Sequence, residues 1–255
     1  MSVAVQTPPH VTLGGVALQW RADRSALTFD ALGKPDALLV ADVHLGKAQR
    51  YRDLGQSVPP AVMAGTTAAT LQRLRAALND SGARRLIVLG DLVHGPAVGD
   101  AVAALAETLG AWHDAAQGQV AVIGGNHDRR AMADWGPVAE RLGAAWEVLP
   151  EDDVVRLGGL ALTHRARVVP GAQDCLGGHL HPCWVMRGPA RDRVRLPCVW
   201  LQQQSQGWLG TLPAFGDFTG MHAVPAAPGD RLWVLTPDGG VHALPASAIS
   251  PGGAP

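Results

Sequence analysis

The chain has 255 residues, of which 47% are hydrophobic and 17% are charged, a balance that predicts an ordinary globular core. Its formal net charge of -1 excludes the overall basic field that dominates non-specific binding to nucleic acids, so any such contact must be local. No apolar run is long enough to cross a bilayer, the first residues lack the features of a signal peptide, and the three cysteines form no CxxC pair, so we expect a cytoplasmic protein without a membrane contact.

The first half of the chain alternates between predicted strands and predicted helices. Residues 11–30 predict short strands around a Gly-Gly turn, and the run ALLVAD from Ala37 predicts a buried strand. A helix is expected to begin at the PPAV segment and to continue, through leucines at helical spacing, to a stop at NDSG. RLIVLG predicts the next strand, an alanine-rich segment from about Asp100 to Ala116 predicts a helix, and VAVIGG predicts a third strand. This alternation favours neighbouring parallel strands with right-handed crossovers.

The second half has a different pattern of predicted elements, which begins near Trp146. Short β-prone runs (VVRL, LALTH, RVRLPCVWL, RLWVLT and VHAL) alternate there with Gly and Pro turns. A second, mostly antiparallel sheet is therefore expected. We predict one domain over residues 1–250 and a flexible tail over residues 251–255, where the sequence is PGGAP.

Seven potential metal ligands follow these apolar runs in a fixed order. They are Asp42 and His44 in ADVHLG, Asp91 in LGDLVHG, Asn126 in GGNHD, His164 in LTHR, and His179 and His181 in GGHLHP. Loops at the ends of buried strands are where a rigid sheet gathers catalytic groups. Carboxylate, imidazole and amide donors without a thiolate suit divalent manganese, iron or zinc, and they argue against a closed structural zinc site. Seven donors are enough to hold two divalent cations.

The order of these motifs resembles the calcineurin-like metallophosphoesterase superfamily, whose pattern is DxH, GDxx(D/H), GNH(D/E), a lone His and GHxH. The segments ADVHLGKAQRYRDLGQSVP, RVRLPCVWL and LPAFGDFTG are moreover similar to the bacterial ligase-associated DNA damage response endonuclease family. Together the resemblance covers roughly positions 37 to 220. It implies an α/β fold, the four-layer α/β/β/α sandwich of the metallophosphoesterase type.

The resemblance also implies how the ligands are shared between two ions. Asp42, His44 and His181 would hold one ion. Asn126, His164 and His179 would hold the other. Asp91 would bridge the two. We expect manganese as the metal, with Fe²⁺ and Zn²⁺ as alternatives.

Two further histidines are candidates for catalysis. His127, inside GGNHD, matches the superfamily's non-ligand histidine, which would contact a phosphoryl oxygen or protonate the leaving oxygen. His94 stands where other members carry an Asp. We interpret it as facing a ligand or the substrate, and a purely structural histidine is an equal alternative. Gly95 stands where phosphoprotein phosphatases place an Arg, which argues against a Ser/Thr phosphatase.

Basic residues lie next to the ligand motifs, although the chain as a whole is nearly neutral. We expect four of them to bind substrate: Arg50, Arg52, Arg129 and Arg130. Arg165 and Arg167 form a similar pair beside His164. For any single arginine a solvated surface position is the alternative, but the repeated adjacency to ligand motifs favours phosphate binding.

The resulting hypothesis is a two-metal phosphodiesterase or endonuclease that acts on DNA. The resemblance implies partners in repair, namely a DNA ligase, a helicase-like protein and a second nuclease. One alternative is a small-molecule phosphodiesterase or nucleotide hydrolase of the same fold. Another is a catalytically weak scaffold of a repair complex, against which the intact ligand set argues. An open groove lined by arginines would favour DNA, whereas a closed pocket would favour a metabolite.

Overall fold

The computed structural model describes residues 10–95, 99–130, 135–187 and 192–249, without the side chains of Met63, Ala64 and Arg130. The expected tail over residues 251–255 lies outside these ranges. Among the described residues, no helix combines the length and the apolar character that a membrane span requires.

The first sheet contains seven strands that neighbour one another in chain order. They are β1 (His10–Leu13), β2 (Val16–Trp20), β3 (Ala26–Phe29), β4 (Pro35–Val40), β5 (Arg85–Leu89), β6 (Gln119–Ile123) and β7 (Trp146–Leu149). Strands β1 to β4 pair antiparallel, and β4 to β7 pair in parallel. The parallel half confirms the alternation that the sequence predicts. Because β7 closes this sheet, the second sheet begins after it, and the boundary expected at Trp146 is one strand too early.

Four α-helices lie in the described part of the first half. They are α1 (Lys47–Asp53), α2 (Pro60–Ser81), α3 (Gly99–Ala116) and α4 (Gly136–Leu142). Helix α2 begins with Pro60 in its first turn and ends at Gly82, whose φ of 66° is the left-handed conformation that terminates many helices. Helix α1 is not predicted by the sequence, because Ala48 is its only buried residue and no apolar stripe marks it.

The second sheet contains nine strands. They are β8 (Val155–Leu157), β9 (Leu160–Arg165), β10 (Asp174–Gly178), β11 (Pro182–Arg187), β12 (Arg193–Gln203), β13 (Trp208–Thr211), β14 (His222–Ala223), β15 (Arg231–Leu235) and β16 (Val241–Ala243). Most of its pairs are antiparallel, as expected. The exceptions are β10, which is parallel to β9 and β13, and β14, which is parallel to β11.

The two sheets pack face to face, and alternation along each strand separates the cores. Leu38 and Val40 of β4 face the helices, whereas Leu39 joins Leu162 and Leu201 of the second sheet in the core between the sheets. The α/β sandwich of the metallophosphoesterase type is therefore confirmed. Among the described residues, the outer face of the second sheet is covered by coil and a 3-10 turn rather than by an α-helix.

Candidate metal centre

All seven proposed ligands lie at one edge of the sandwich, where both sheets end. Asp42 and His44 follow β4, Asp91 follows β5, and Asn126 follows β6. These three strands are parallel, so their carboxyl ends meet at the same edge. The second sheet contributes His164, which lies inside β9 rather than after it, and His179 and His181, which lie between β10 and β11.

The first cluster consists of Asp42, His44 and His181, with one donor atom of each within 4.8 Å of the others. The Nε2 atoms of His44 and His181 are 3.1 Å apart, and His181 Nε2 is 3.6 Å from Asp42 Oδ1. The three side chains therefore point at a common centre, as ligands of one ion do.

The second cluster consists of Asp91, His164 and His179, again within 4.8 Å. Asn126 Oδ1 lies 3.2 Å from His164 Nε2 and adds a fourth oxygen or nitrogen donor. Asp91 Oδ2 is 3.7 Å from His44 Nε2 and 3.8 Å from His164 Nε2, so this carboxylate lies between the two clusters.

Backbone carbonyls orient two of the imidazoles. Nδ1–H of His164 donates to the carbonyl of Leu89 at 3.0 Å, and Nδ1–H of His181 donates to the carbonyl of Gly220 at 3.1 Å. Because a carbonyl only accepts, Nδ1 carries the proton in both rings. Nε2 is left with its lone pair directed into the cluster, the usual arrangement of a metal-binding histidine.

The charges of this edge fit divalent cations. Burial lowers the pKa of His44 well below its usual value and also lowers the pKa of His179, so both rings are held in the neutral form that binds metals. Burial raises the pKa of the Asp91 carboxyl. Asp42 Oδ1 is buried without a hydrogen-bond partner among the described residues. A buried carboxylate oxygen without a donor is unfavourable unless a cation compensates it.

The backbone of these loops is strained. Asp42, His44, Asp91, His179 and His181 all adopt positive φ, between 49° and 71°. This region costs a non-glycine residue about 1 kcal/mol or more, and such residues concentrate at functional sites. Hydrogen bonds between the two loops hold the conformation: His44 N–H donates to the Asp91 carbonyl at 2.8 Å.

Gly125 leaves room for the central carboxylate. A Cβ at this position would overlap the Asp91 side chain and backbone. We therefore expect Gly125→Ala to displace Asp91, to reduce the metal content and to lower hydrolysis by about 100-fold, the effect of a misplacement of ~1 Å. Metal analysis and turnover of a small diester measure this. Gly65→Ala is the matched control, because it lies on α2 with nothing within 4 Å, and it should keep both properties.

His127 and His94 lie beside the first cluster and stack on each other with ring centroids 4.0 Å apart. The backbone N–H of His127 donates to Asp91 Oδ1 at 2.9 Å. His94 Nδ1 is 3.0 Å from His44 Nδ1. Burial lowers the pKa of His94 to about 3, so the ring is neutral. If His44 uses Nε2 as a ligand atom, its Nδ1–H donates to His94, whose own proton then sits on Nε2.

A cleft of about 470 Å³, partly open to solvent, lies over these histidines. Its described lining consists of Arg50, Leu54, His94, Gly95, Asn126, His127 and Arg129. Of the four predicted substrate-binding residues, the structure thus brings Arg50 and Arg129 to the cleft. Arg52 is exposed on α1 and is not part of this lining, and the side chain of Arg130 lies outside the described residues. Arg129 also pairs with Glu151 at 2.9 Å.

Asp128 has a role at this edge that sequence reasoning left open. Its carboxylate accepts hydrogen bonds from the N–H groups of Val93 at 3.0 Å and Gly125 at 2.8 Å, which ties the loop after β6 to the loop after β5. Burial raises the pKa of Asp128 to about 7. No signal in the sequence, apart from its place next to His127, indicates this contact.

Comparison with known proteins agrees with this geometry. The profile of the calcineurin-like phosphoesterase family matches residues 37–173, which is more than half of the chain. The crystal structure of the nuclease MPE of Pseudomonas putida is similar, with 33% identity and a TM-score of 0.68, and the match covers 93% of this chain and 100% of that one. None of the curated proteins compared with the chain matches it. The chain therefore belongs to the calcineurin-like phosphoesterases and is a metal-dependent phosphoesterase.

Proposed function

We propose that the protein is a two-metal nuclease that hydrolyses the phosphodiester bonds of DNA. The observation that carries this proposal is the pair of ligand clusters around Asp91 beneath a cleft that is partly open to solvent and lined by Arg50 and Arg129. A cleft that is partly open to solvent would admit a polymer. The similarity to a protein that is itself called a nuclease supports the same conclusion.

The proposed division of ligands follows the two clusters. Asp42, His44 and His181 would hold one ion. Asn126, His164 and His179 would hold the other, and Asp91 would contact both. We propose Mn²⁺ as the metal, with Fe²⁺ and Zn²⁺ as alternatives, since oxygen and imidazole donors suit all three. Two such ions lower the pKa of water and neutralise charge at phosphorus.

The histidines of the cleft have different proposed roles. His127 projects beside the ligand clusters and would donate a hydrogen bond or a proton to an oxygen of the phosphoryl group. His94 would position the site, because it touches His44 through a hydrogen bond and His127 through ring stacking. It also lines the cleft.

Arg50 and Arg129 are proposed to bind phosphates next to the cleaved bond, with Arg130 extending this contact and Arg52, on another face of α1, binding DNA only outside the cleft. Each lost phosphate contact is expected to flatten the log–log salt dependence of binding by about 0.9 on duplex DNA, or about 0.7 on single strands. The double variant Arg50→Ala/Arg129→Ala should therefore bind DNA more weakly and with a slope that is lower by roughly twice these values. Fluorescence anisotropy at several salt concentrations measures it.

The control for this double variant is Arg75→Ala, which removes an exposed charge on α2. Hydrolysis of bis-p-nitrophenyl phosphate should fall much less than DNA binding, because this substrate has no extended backbone. If small-diester turnover collapsed while the salt slope stayed unchanged, these arginines would belong to a closed catalytic pocket. The small-molecule phosphodiesterase would then be the better interpretation.

The cellular context rests on the resemblance alone. We propose that the protein acts in the cytoplasm beside a DNA ligase, a helicase-like protein and a second nuclease. Copurification from cells that express the tagged protein, with and without nuclease treatment of the lysate, tests this association.

The decisive experiment compares circular single-stranded DNA, circular duplex DNA and bis-p-nitrophenyl phosphate, with and without added Mn²⁺. Metal-dependent opening of either circle supports the nuclease. Hydrolysis of the small diester with both circles intact would favour the small-molecule phosphodiesterase or nucleotide hydrolase. No hydrolysis of any substrate by a metal-loaded protein would favour the scaffold.

A further inference from the structure

The hairpin that follows His181 carries three arginines on one face. Strand β11 begins at the next residue and pairs antiparallel with β12. In this register Val185 lies opposite Arg195, and Arg187 lies opposite Arg193. Side chains directly opposite each other in an antiparallel pair share a face, and those two residues apart on a strand share it too. The three arginines therefore form one row.

The other face of the hairpin is packed against the protein at its base, whereas Met186 and Val194 on that face nearer the tip are exposed. Trp184 lies opposite Leu196, which is buried in the outer core of the second sheet. Further along β12, Val199 and Leu201 belong to the core between the sheets. They lie an even number of positions from Arg193 and Arg195, so all four side chains point to the same face of the strand. The arginine face is thus a continuation of the inner face of the second sheet, beyond the point where the first sheet covers it.

This face is connected to the candidate metal centre. The Arg195 guanidinium donates to the carbonyl of Met221 at 2.8 Å, and His181 Nδ1–H donates to the carbonyl of the preceding residue, Gly220, at 3.1 Å. Two consecutive carbonyls therefore hold a ligand and the first arginine of the row. Arg187 lies five residues beyond Pro182, where β11 begins. At about 3.3 Å per residue, the distance between these two residues along the strand is on the order of 17 Å.

The row is positively charged and accessible. Arg187, Arg193 and Arg195 are exposed, and Asp192 is the only carboxylate among the described residues between 182 and 203. A small diester bound at the metal ions cannot reach along such a row, whereas one DNA strand carries a phosphate about every 3.4 Å. We propose that Arg187, Arg193 and Arg195 bind the phosphodiester backbone of a DNA strand as it leaves the metal centre. This proposal rests on the nuclease function and names a part of its substrate path.

The test removes the two outer charges and leaves Arg195 in place, since its bond to Met221 is linked to His181 through the loop. Arg187→Gln/Arg193→Gln is compared with Arg75→Gln/Arg84→Gln, which removes two exposed charges on and just after α2. Binding is measured with a fluorescein-labelled phosphorothioate strand, which keeps the backbone charge and resists cleavage. The hairpin variant should lose about 1.4 from the log–log salt slope on a single strand, or about 1.8 on a duplex, and the control should lose none.

Arg187→Lys/Arg193→Lys should restore most of the slope, because counterion release depends on the charge. If the glutamine pair did not fold, as judged by its thermal unfolding midpoint, the single variant Arg193→Gln should still lose about 0.7 on a single strand. An unchanged slope in the folded hairpin variant, or an equal loss in the control, overturns the proposal. Cleavage by the wild-type protein distinguishes failure of the hairpin assignment from failure of the nuclease function. If the wild-type protein cuts DNA while the hairpin variant binds DNA normally, only the hairpin assignment fails. If the wild-type protein cuts no DNA, the proposed nuclease function fails.

Discussion

Asp91→Asn is expected to abolish phosphodiester hydrolysis and to weaken metal binding at both positions. Asp91 Oδ2 lies 3.7 Å from a ring nitrogen of the first cluster and 3.8 Å from one of the second, so one substitution affects both. The amide that replaces the carboxylate is neutral and keeps one oxygen donor, so it compensates two cations poorly. Loss of a group that merely supports a ligand costs 10 to 100-fold in metal affinity, and a shared ligand should cost more than ~100-fold.

Metal content per chain and turnover of bis-p-nitrophenyl phosphate measure this effect. Asp36→Asn is the matched control, because Asp36 lies on β4 in the same sheet, is partly exposed and pairs with Arg85 at 3.8 Å. A variant at Asp91 that kept two tightly bound ions and full activity would contradict the bridging assignment. Loss of one ion alone would place Asp91 in a single cluster.

Much of the fold follows from periodicity, and the exceptions have physical causes. The buried run at β4 and the leucines of α2 have the spacing that strands and helices require, and both elements form where the sequence predicts them. Helix α1 is missed because it buries only Ala48. Its packing therefore depends on neighbours that the chain order does not reveal.

This missed helix explains the different positions of Arg50 and Arg52. Residues two apart on a helix point about 200° away from each other, so the two arginines of α1 cannot both face one cleft. Arg50 lines the cleft and Arg52 does not. A sequence prediction that places both next to the first ligand motif, without a helix, has no reason to separate them.

The proposed ligands were found in the sequence because most motifs place their donors directly after a strand, with His164 inside β9 as the exception. The groups that orient these ligands were not found in the sequence. The carbonyls of Leu89 and Gly220 hold His164 and His181, and every residue has a carbonyl, so the sequence cannot mark these two. The contact of Asp128 with Val93 joins loops that are 35 residues apart. Contacts of this kind arise only when the two strands lie side by side.

His127→Ala is expected to lower turnover by about 100 to 10,000-fold, the range for a general acid or base, while the metal content stays near the wild-type level. The reason is that the hydrogen bond of this residue to the shared ligand Asp91 is made by its backbone. His127 N–H donates to Asp91 Oδ1 at 2.9 Å, and alanine retains this group. The imidazole lies edge-on to the His44 ring, with centroids 5.2 Å apart, stacks on His94 and lines the cleft. Turnover of a small diester and metal analysis of the same sample separate the two effects.

His10→Ala is the control, since His10 is exposed on β1 and outside the cleft lining, so it should change neither property. Loss of an ion from His127→Ala would identify the ring as a ligand and would assign the loop after β6 two donors, Asn126 and His127. Retention of full turnover would instead leave the proton or hydrogen bond at the phosphoryl group to His94. His94, which stacks on His127, is the only other histidine in the described lining of the cleft. The double variant His94→Ala/His127→Ala would then show the loss of turnover that His127→Ala alone did not cause.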